Sequence, residues 1–471
     1  MAKLFFYNTL TRKKEEFKAI AGKTVGLYSC GPTVYKYAHL GNLRAFLFVD
    51  ILKRTLSYNG YQVKHIMNIT DVGHLVGDRS MGEDKLELSA RKENKSAIEI
   101  ARFYEEAFKQ DLQLLNIIPP SIYARVTDHI KEQIELIKIL EAKGYTYQTS
   151  DGLYFNTALV TDYNKLSKLP IEELKEGARV EKNKEKKNPP DFALWKFSPQ
   201  DKQRQMEWPS PWGVGFPGWH IECSAISLKY LKDNLDIHCG GSDHINIHHT
   251  NEIAQSEAAT GRPFFNYWLH NAFLVNKEGE KMSKSTDDFL TLERATSQSG
   301  VDPLAFRFYF LQGNYHKPME YSEEGLLRAQ EGLSSLQNSV INLGQEQGQP
   351  SQVFQAKFLA AVNNNLNTAQ ALAVVSAVLK SKLSKADKLA TVLDFDRVLG
   401  LRLTELEPRA EKVVAESDLP ATVKALLLSR AQAREKQDWL EADRLREEIR
   451  QQGYRLEDGP QGVKLTLETD Q

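Results

Sequence analysis

Apolar positions near the N-terminus mark out a strand–helix–strand unit. In GKTVGLYSC (22–30), small and β-branched residues predict a short strand that runs into the turn GPT. AHLGNLRAFLFVDILKRTLSYNG then carries apolar residues at helical spacing up to a glycine stop. YQVKHIMNITDVG (61–73) supplies a second strand. This order is the signature of a parallel sheet, so the expected fold class is α/β and Rossmann-like. SAIEIARFYEEAFKQDLQLLNI and DHIKEQIELIKILEAKG predict amphipathic helices, the second ending at Gly144.

Further along, the pattern changes. Over 145–218, aromatic and Gly-rich pieces alternate with the charged run EKNKEKKNPPD, which reads as an insertion carrying a solvated loop. LDIHCGG and NAFLVNKEGEK return to strand–turn patterning. From about 294 the pattern is mostly helical, and GQEQGQPSQ (344–352) marks a linker or long loop. The last stretch predicts two helices and a small β element. The expected layout is a parallel-sheet domain over 1–293 with an insertion at about 119–215, a helical domain over 294–415 and a terminal unit over 416–471.

Composition narrows the class. A chain of 471 residues suggests about three domains. With 41% hydrophobic and 26% charged residues, a soluble protein with a sizeable core is expected. MAKLFFYNTLTRKKEEF has no long apolar stretch before its charges, so it does not read as a secretory leader. No window approaches eighteen uninterrupted apolar residues, so no membrane span is expected. Three cysteines, Cys30, Cys223 and Cys239, argue against a disulfide framework and for a reducing cytoplasm. A net charge of −1 neither demands nor excludes nucleic acid.

Candidate chemistry centres on HCGGSDHINIHHTNE (238–252), which holds four of the chain's eleven histidines. On a helix, His248 and Glu252 point the same way. Cys223 in GWHIECSA precedes this unit, and Cys30 ends the first strand, where a parallel sheet presents ligands. Folding could assemble these four into a mixed sulfur, nitrogen and oxygen set suited to zinc. Buried free cysteines and ordinary histidines remain the alternative. Cys239 should point away from His238 on a strand, and His249 faces about 100° from His248 on the helix, so neither is expected in the site.

A phosphate site is expected where His39 and Gly41 open the first helix. KMSKS (281–285) offers Lys281 and Lys284 in a loop after Gly279, suited to closing over a triphosphate; a solvated lysine turn is the alternative.

Taken together, HLGN, KMSKS, YSCGPTVY, PGWHIECSA, GGSDH, HHTNEIAQ and KQDWLEADRLREEI resemble segments of the class I aminoacyl-tRNA synthetases, specifically the cysteinyl-tRNA synthetase family. The likeness covers nearly the whole chain. It implies a catalytic Rossmann-like domain, a helical stem-contact domain and a C-terminal anticodon-binding domain. It implies ligation of L-cysteine to tRNA(Cys) through cysteinyl-adenylate, with ATP, Mg²⁺ and one Zn²⁺ per chain, in a cytoplasmic monomer.

By the same resemblance, Cys30, Cys223, His248 and Glu252 hold the zinc. His39, Gly41, Asn42, Asp243, Lys281 and Lys284 serve ATP, with His39, Asn42 and the two lysines as catalytic groups. Thr70, Trp219 and His238 line the amino-acid pocket, and Arg434, Trp439 and Asp443 read the anticodon. Arg430, Lys436, Arg444 and Arg446 lie at helical spacings beside Trp439 and offer phosphate contacts. Three departures stand out. Asn42 replaces the second histidine of the family's HIGH motif. Lys85 matches one lysine of a segment whose second lysine is replaced by Leu88. TDDF, with Asp287 and Asp288, follows KMSKS. The competing readings are a ligase with an amino-sugar acceptor, a zinc hydrolase and a non-catalytic RNA-binding module.

Overall fold

The computed structural model describes residues 3–73, 85–170, 184–199, 204–281, 290–407, 414, 418–459 and 462–467. Two compact units divide the chain, Met1–Leu406 and Glu407–Gln471.

The first unit opens with a hairpin, β1 (Phe5–Asn8) and β2 (Lys13–Glu16). Then come β3 (Thr24–Ser29), α1 (Leu40–Tyr58), β4 (Gln62–Ile69), α2 (Lys85–Glu93), α3 (Ala97–Leu114), β5 (Ile122–Arg125) and α4 (Ile130–Ala142). The insertion holds β6 (Thr146–Thr149), β7 (Gly152–Phe155), β8 (Phe192–Phe197) and β9 (Gly215–Pro217). The chain returns through α5 (Trp219–Leu231), β10 (Ile237–Gly241), α6 (His248–Thr260), β11 (Tyr267–Asn271) and β12 (Leu274–Val275). α7 (Leu292–Ser299), α8 (Pro303–Leu311), β13 (Met319–Glu320), α9 (Glu323–Ile341), α10 (Gln352–Val362), α11 (Thr368–Leu379) and α12 (Lys385–Leu399) follow. GQEQGQPSQ lies between α9 and α10, as its composition suggested.

The core sheet has the order β11-β10-β3-β4-β5, and every pairing is parallel. Its strands are buried on both faces, so they read as apolar runs rather than alternations. One face packs on α1, where Leu43, Leu47 and Leu52 are fully buried. The other meets α5 and α6 through Tyr28, Ile226 and Trp268. β3 and β10 are adjacent, yet the chain leaves them in opposite directions, to β4 and to β11. This is the topological switch point, and ligands bind outside the carboxyl ends of such a strand pair.

Within the insertion, the described part of the charged run (184–190) lies in turns between β7 and β8. The insertion forms a four-stranded antiparallel sheet, β6-β7-β8-β9, with its own core of Leu153, Phe155, Phe192, Leu194 and Trp195. Strands of three to six residues are too short to declare an alternation in the sequence.

The second unit holds α13 (Ala421–Glu435), α14 (Trp439–Gln451), β14 (Tyr454–Gly459) and β15 (Gly462–Leu467), two helices and a hairpin as expected. Val423, Ile449, Leu456 and Leu465 form its core. Among the described residues, no helix is long and apolar enough to cross a membrane.

Candidate functional site

A cavity of about 210 Å³ opens at the switch point, lined by the ends of β3, β4 and β10 and the first turns of α1, α5 and α6. The loop after β3 extends the sheet: Thr70 N donates to Pro32 O at 3.0 Å, and Val34 N to Thr70 O at 3.2 Å. Gly31 is required here, because any Cβ would collide with the Asn68 carbonyl.

Cys30, at the end of β3, forms the floor together with α5 and α6. Its Sγ lies 3.3 Å from His249 Nε2, and Cys223 Sγ lies 3.6 Å from His248 Nε2. Glu252 Oε1 is 3.0 Å from His248 Nε2 and 3.9 Å from His249 Nε2, yet it makes no hydrogen bond of acceptable geometry. Ligand atoms of Cys30, His248, His249 and Glu252 all lie within 4.8 Å of one another. Soft sulfur, imidazole and an orphaned buried carboxylate oxygen converging on one point fit a zinc ion.

His249 therefore joins the cluster, against expectation. His248 and His249 are the first two residues of α6, and Cys30 lies at that helix's open end. Two long imidazoles there can reach one point despite their angular separation. Cys239 is fully buried, packed with the α1-side core as the strand alternation implied.

His238 is fully buried and is not among the residues that line the cavity. Its Nε2 lies 2.9 Å from Glu252 Oε2, and its ring stacks on Trp268 at 4.6 Å. Strand alternation turns it toward α6, where it holds Glu252. Burial would raise the Glu252 carboxyl, but His238 and His248 outweigh it and hold it at about 2. Burial pushes both the Cys30 and Cys223 thiols up, so an ion binding there must displace protons.

Thr70 and Trp219 do line the cavity. The Thr70 hydroxyl accepts from Asn68 Nδ2 at 3.0 Å and donates to the buried Glu222 at 3.0 Å. Trp219 lies 4.2 Å from the His248 ring. Asn68 and Glu222 are therefore part of the site, though neither carries a motif of its own. So is His244, whose ring stands 5.1 Å from both His248 and His249. Glu222 sits beside Cys223 on α5, a buried acid in a helix start, and that was the available signal.

At the nucleotide end, His39 is the N-cap of α1. Asn42 N donates to His39 Nδ1 at 3.2 Å, and His39 N donates to Asn42 Oδ1 at 3.3 Å. This capping box makes Nδ1 an acceptor, so neutral His39 carries its proton on Nε2. It leaves Asn42 its amide nitrogen as donor. At Gly41, which lines the cavity, an added Cβ would sit 2.9 Å from the His39 ring. Lys281 Nζ lies 2.7 Å from Asp243 Oδ2 and 4.3 Å from the Phe273 centroid, so the KMSKS start and the GGSD turn meet. Lys284, Asp287 and Asp288 lie outside the described residues, as does the side chain of Lys85.

In the second unit, Trp439 is the exposed first residue of α14, and Arg434 and Asp443 are exposed too. The basic face is smaller than the spacing implied. Arg430 is 5% exposed, and Arg444 is held by Glu441 and Glu448.

Two family models match the chain. Residues 16–331 match the catalytic domain of the class I (C) tRNA synthetases, and residues 416–464 match the anticodon binding domain of cysteinyl-tRNA ligase. The cysteine–tRNA ligase 1 of Burkholderia lata is 49% identical, over 98% of this chain and 96% of that one. The cysteine–tRNA ligase of Treponema denticola is 42% identical, over 97% and 98%. Among solved structures, the Mycobacterium tuberculosis methionyl-tRNA synthetase bound by methionyl-adenylate shares the fold. Its TM-score is 0.53 at 14% identity, over 80% of this chain and 90% of that one.

Proposed function

The chain belongs to the cysteine–tRNA ligase family of class I synthetases, and from that premise we propose that it charges tRNA(Cys) with L-cysteine through cysteinyl-adenylate. ATP with Mg²⁺ drives the first step, and the protein acts as a cytoplasmic monomer. Cys30, Cys223, His248 and Glu252 would hold one zinc ion, with His249 in reach of the same point as an alternative to Cys223. The single observation that carries the reading is the convergence of sulfur, imidazole and carboxylate ligands on the floor of a cavity whose rim carries a helix N-terminus.

The ion's contribution is affinity for a thiolate that a serine hydroxyl cannot match. Serine and cysteine differ by one atom, and an apolar pocket separates near-isosteres by only about a hundredfold. The chain's own residues do the rest. Trp219 and Thr70 bound the amino acid. Thr70 is itself fixed between Asn68 and Glu222, so it needs no reorganisation when substrate arrives.

The cysteine carboxylate then attacks the α-phosphate of ATP and pyrophosphate leaves. Negative charge grows on the phosphates. His39 Nε2–H, the Asn42 amide and the amide groups of the first α1 turn offer donors to it, and each such donor is worth about 2.7–4 kcal/mol in well-studied cases. Lys281, steered by Asp243, and Lys284 supply positive charge from the KMSKS side. In the second step the 2′-hydroxyl of the terminal adenosine attacks the activated carbonyl and AMP departs. Arg434, Trp439 and Asp443 serve anticodon recognition, which disfavours an amino-sugar acceptor.

Cysteine-dependent ATP–pyrophosphate exchange, followed by transfer of labelled cysteine to tRNA, tests the proposal. Both are expected. Absence of exchange, or exchange driven equally by serine, defeats it.

A further inference from the structure

Three aromatic rings stand beside the cavity mouth. Tyr104 of α3 lines the cavity. Its ring is edge-on to Tyr37 and to Phe103, each at 5.1 Å, and those two meet at 6.1 Å. Tyr104 is 9% exposed, whereas Tyr37 is 40% and Phe103 44% exposed. The cluster therefore leads from the cavity wall out to the surface. Two exposed aromatic rings in contact call for an occupant.

Cations stand among their neighbours. Lys36, exposed, precedes Tyr37. Lys95 Nζ lies 4.7 Å from the Phe103 centroid, and Arg102 is partly exposed on the same helix. Glu106, three residues after Phe103, is exposed, whereas the other acids nearby are taken up. Glu93 accepts from the Tyr104 hydroxyl at 2.6 Å and pairs with Lys95, and Glu99 caps Ser96. Glu105 is shared by Arg102, Lys109 and Arg125.

Aromatic faces interleaved with cations are what bind single-stranded nucleic acid without regard to sequence. The acceptor of the reaction is an RNA whose 3′ end is unpaired and must enter this cavity. We propose that Tyr37 and Phe103 form a stacking platform for the unpaired 3′-terminal nucleotides of the tRNA, guiding the terminal ribose past Tyr104. The inference rests on the tRNA-charging reading above and names the surface that serves its second step.

The test uses full-length Phe103→Ala and Phe103→Trp. The position is exposed enough that truncation leaves the core intact. Binding is measured with intact tRNA and with tRNA trimmed of its unpaired 3′ nucleotides, alongside cysteine-dependent pyrophosphate exchange, which needs no tRNA. Phe103→Ala is expected to bind intact tRNA at least about fivefold more weakly, the low end of one base–aromatic stack. It should be indifferent to trimming, whereas wild type loses affinity, and Phe103→Trp should restore the difference. Exchange should be unchanged in both variants. A Phe103→Ala protein as sensitive to trimming as wild type overturns the platform, whatever else the patch binds. So does a loss of exchange, which would assign these rings to the adenylation step. Wild type that shows no cysteine-dependent exchange overturns the functional reading itself. Wild type that exchanges but ignores trimming overturns only the platform.

Discussion

His39 shows how much of the chemistry depends on one ring's orientation. Its Nδ1 is committed to the Asn42 amide, which sets the tautomer and aims the remaining N–H. Gly41 makes room for that ring, because a methyl there would stand 2.9 Å from Cε1. Gly41→Ala should therefore displace the imidazole while leaving α1 helical. A misplacement near 1 Å can cost about a hundredfold in rate, so pyrophosphate exchange should fall by about that factor with the melting temperature little changed. Unchanged exchange would mean that His39 does not contact the phosphates. Cys223 carries the selectivity argument in the same way. Cys223→Ser removes the sulfur 3.6 Å from His248 Nε2, so metal content by mass spectrometry should drop. Discrimination of cysteine from serine should collapse toward the about hundredfold that an ordinary pocket supplies. A variant that keeps both wild-type metal and wild-type selectivity would exclude Cys223 from the site.

At the scale of elements, one buried ion cluster ties the nucleotide helix to the helical region. Asp50 of α1 accepts from Arg54 at 2.8 Å and from Arg307 of α8 at 2.6 Å, and both Asp50 and Arg307 are fully buried. Arg307 also donates to Leu399 O at the end of α12 and to Leu115 O just after α3. Asp50→Ala leaves a guanidinium buried without its counter-charge, which costs about 3–5 kcal/mol. Urea denaturation should read that loss. A variant within about 1 kcal/mol of wild type would mean that water or another group compensates. Asp111 on α3 acts in the opposite sense. Burial, and then the Glu293 carboxylate, push it up to about 7. The folded state therefore holds a proton that the unfolded chain has released. Its contribution is present in full below the usual carboxylate range near pH 4 and is lost as pH rises through about 7. Asp111→Asn should gain on the order of 1 kcal/mol near pH 8, after allowance for solvent screening, and nothing near pH 4. Thermal melts at the two pH values check the sign.

The same scale shows why part of the site was hidden in the sequence. β3, α1 and β4 announce themselves because apolar burial dictates their periodicity. α6 does not, since Thr250, Asn251, Gln255 and Ser256 are all at most 1% exposed. They are buried because each finds a partner: Thr250 Oγ1 donates to Ile245 O at 2.8 Å, Asn251 Oδ1 accepts from the Tyr163 hydroxyl, and the other two bond to α5. Gln255 Nε2 donates to His220 O at 2.6 Å and to Ser224 Oγ at 2.7 Å, and Ser256 Oγ to Ser224 Oγ at 2.8 Å. A buried polar seam looks like a solvent face to any reading based on hydrophobicity. Cys30, Cys223, His248 and Glu252 could be paired from spacing and chemistry. The second imidazole and the bracing role of His238 required the actual ends of α6 and β10.

Across the whole molecule, the two steps of the reaction make unequal demands on the chain. On the proposed reading, adenylate formation draws on groups of Met1–Leu406: the sheet ends, the first turns of α1, α5 and α6, and the KMSKS start. That unit has its own extensive cores, with Leu27, Leu47 and Phe306 among its fully or nearly fully buried residues. Glu407–Gln471 has a separate small core around Val423 and Ile449, and it presents Trp439 at 59% exposure. An exposed tryptophan at a helix start adds nothing to folding, and burying it against an RNA base would release apolar area from water. A chain ended after Leu406 should therefore keep cysteine-dependent pyrophosphate exchange. Its kcat/KM for charging tRNA should fall at least about tenfold, the ~1.4 kcal/mol that one modest recognition contact is worth. Trp439→Ala in the full chain should show the same split to a smaller degree, with exchange intact and KM for tRNA raised. If truncation abolished exchange as well, the second unit would be needed to hold the first one's site. If neither change touched charging, the terminal unit would have no part in choosing the tRNA.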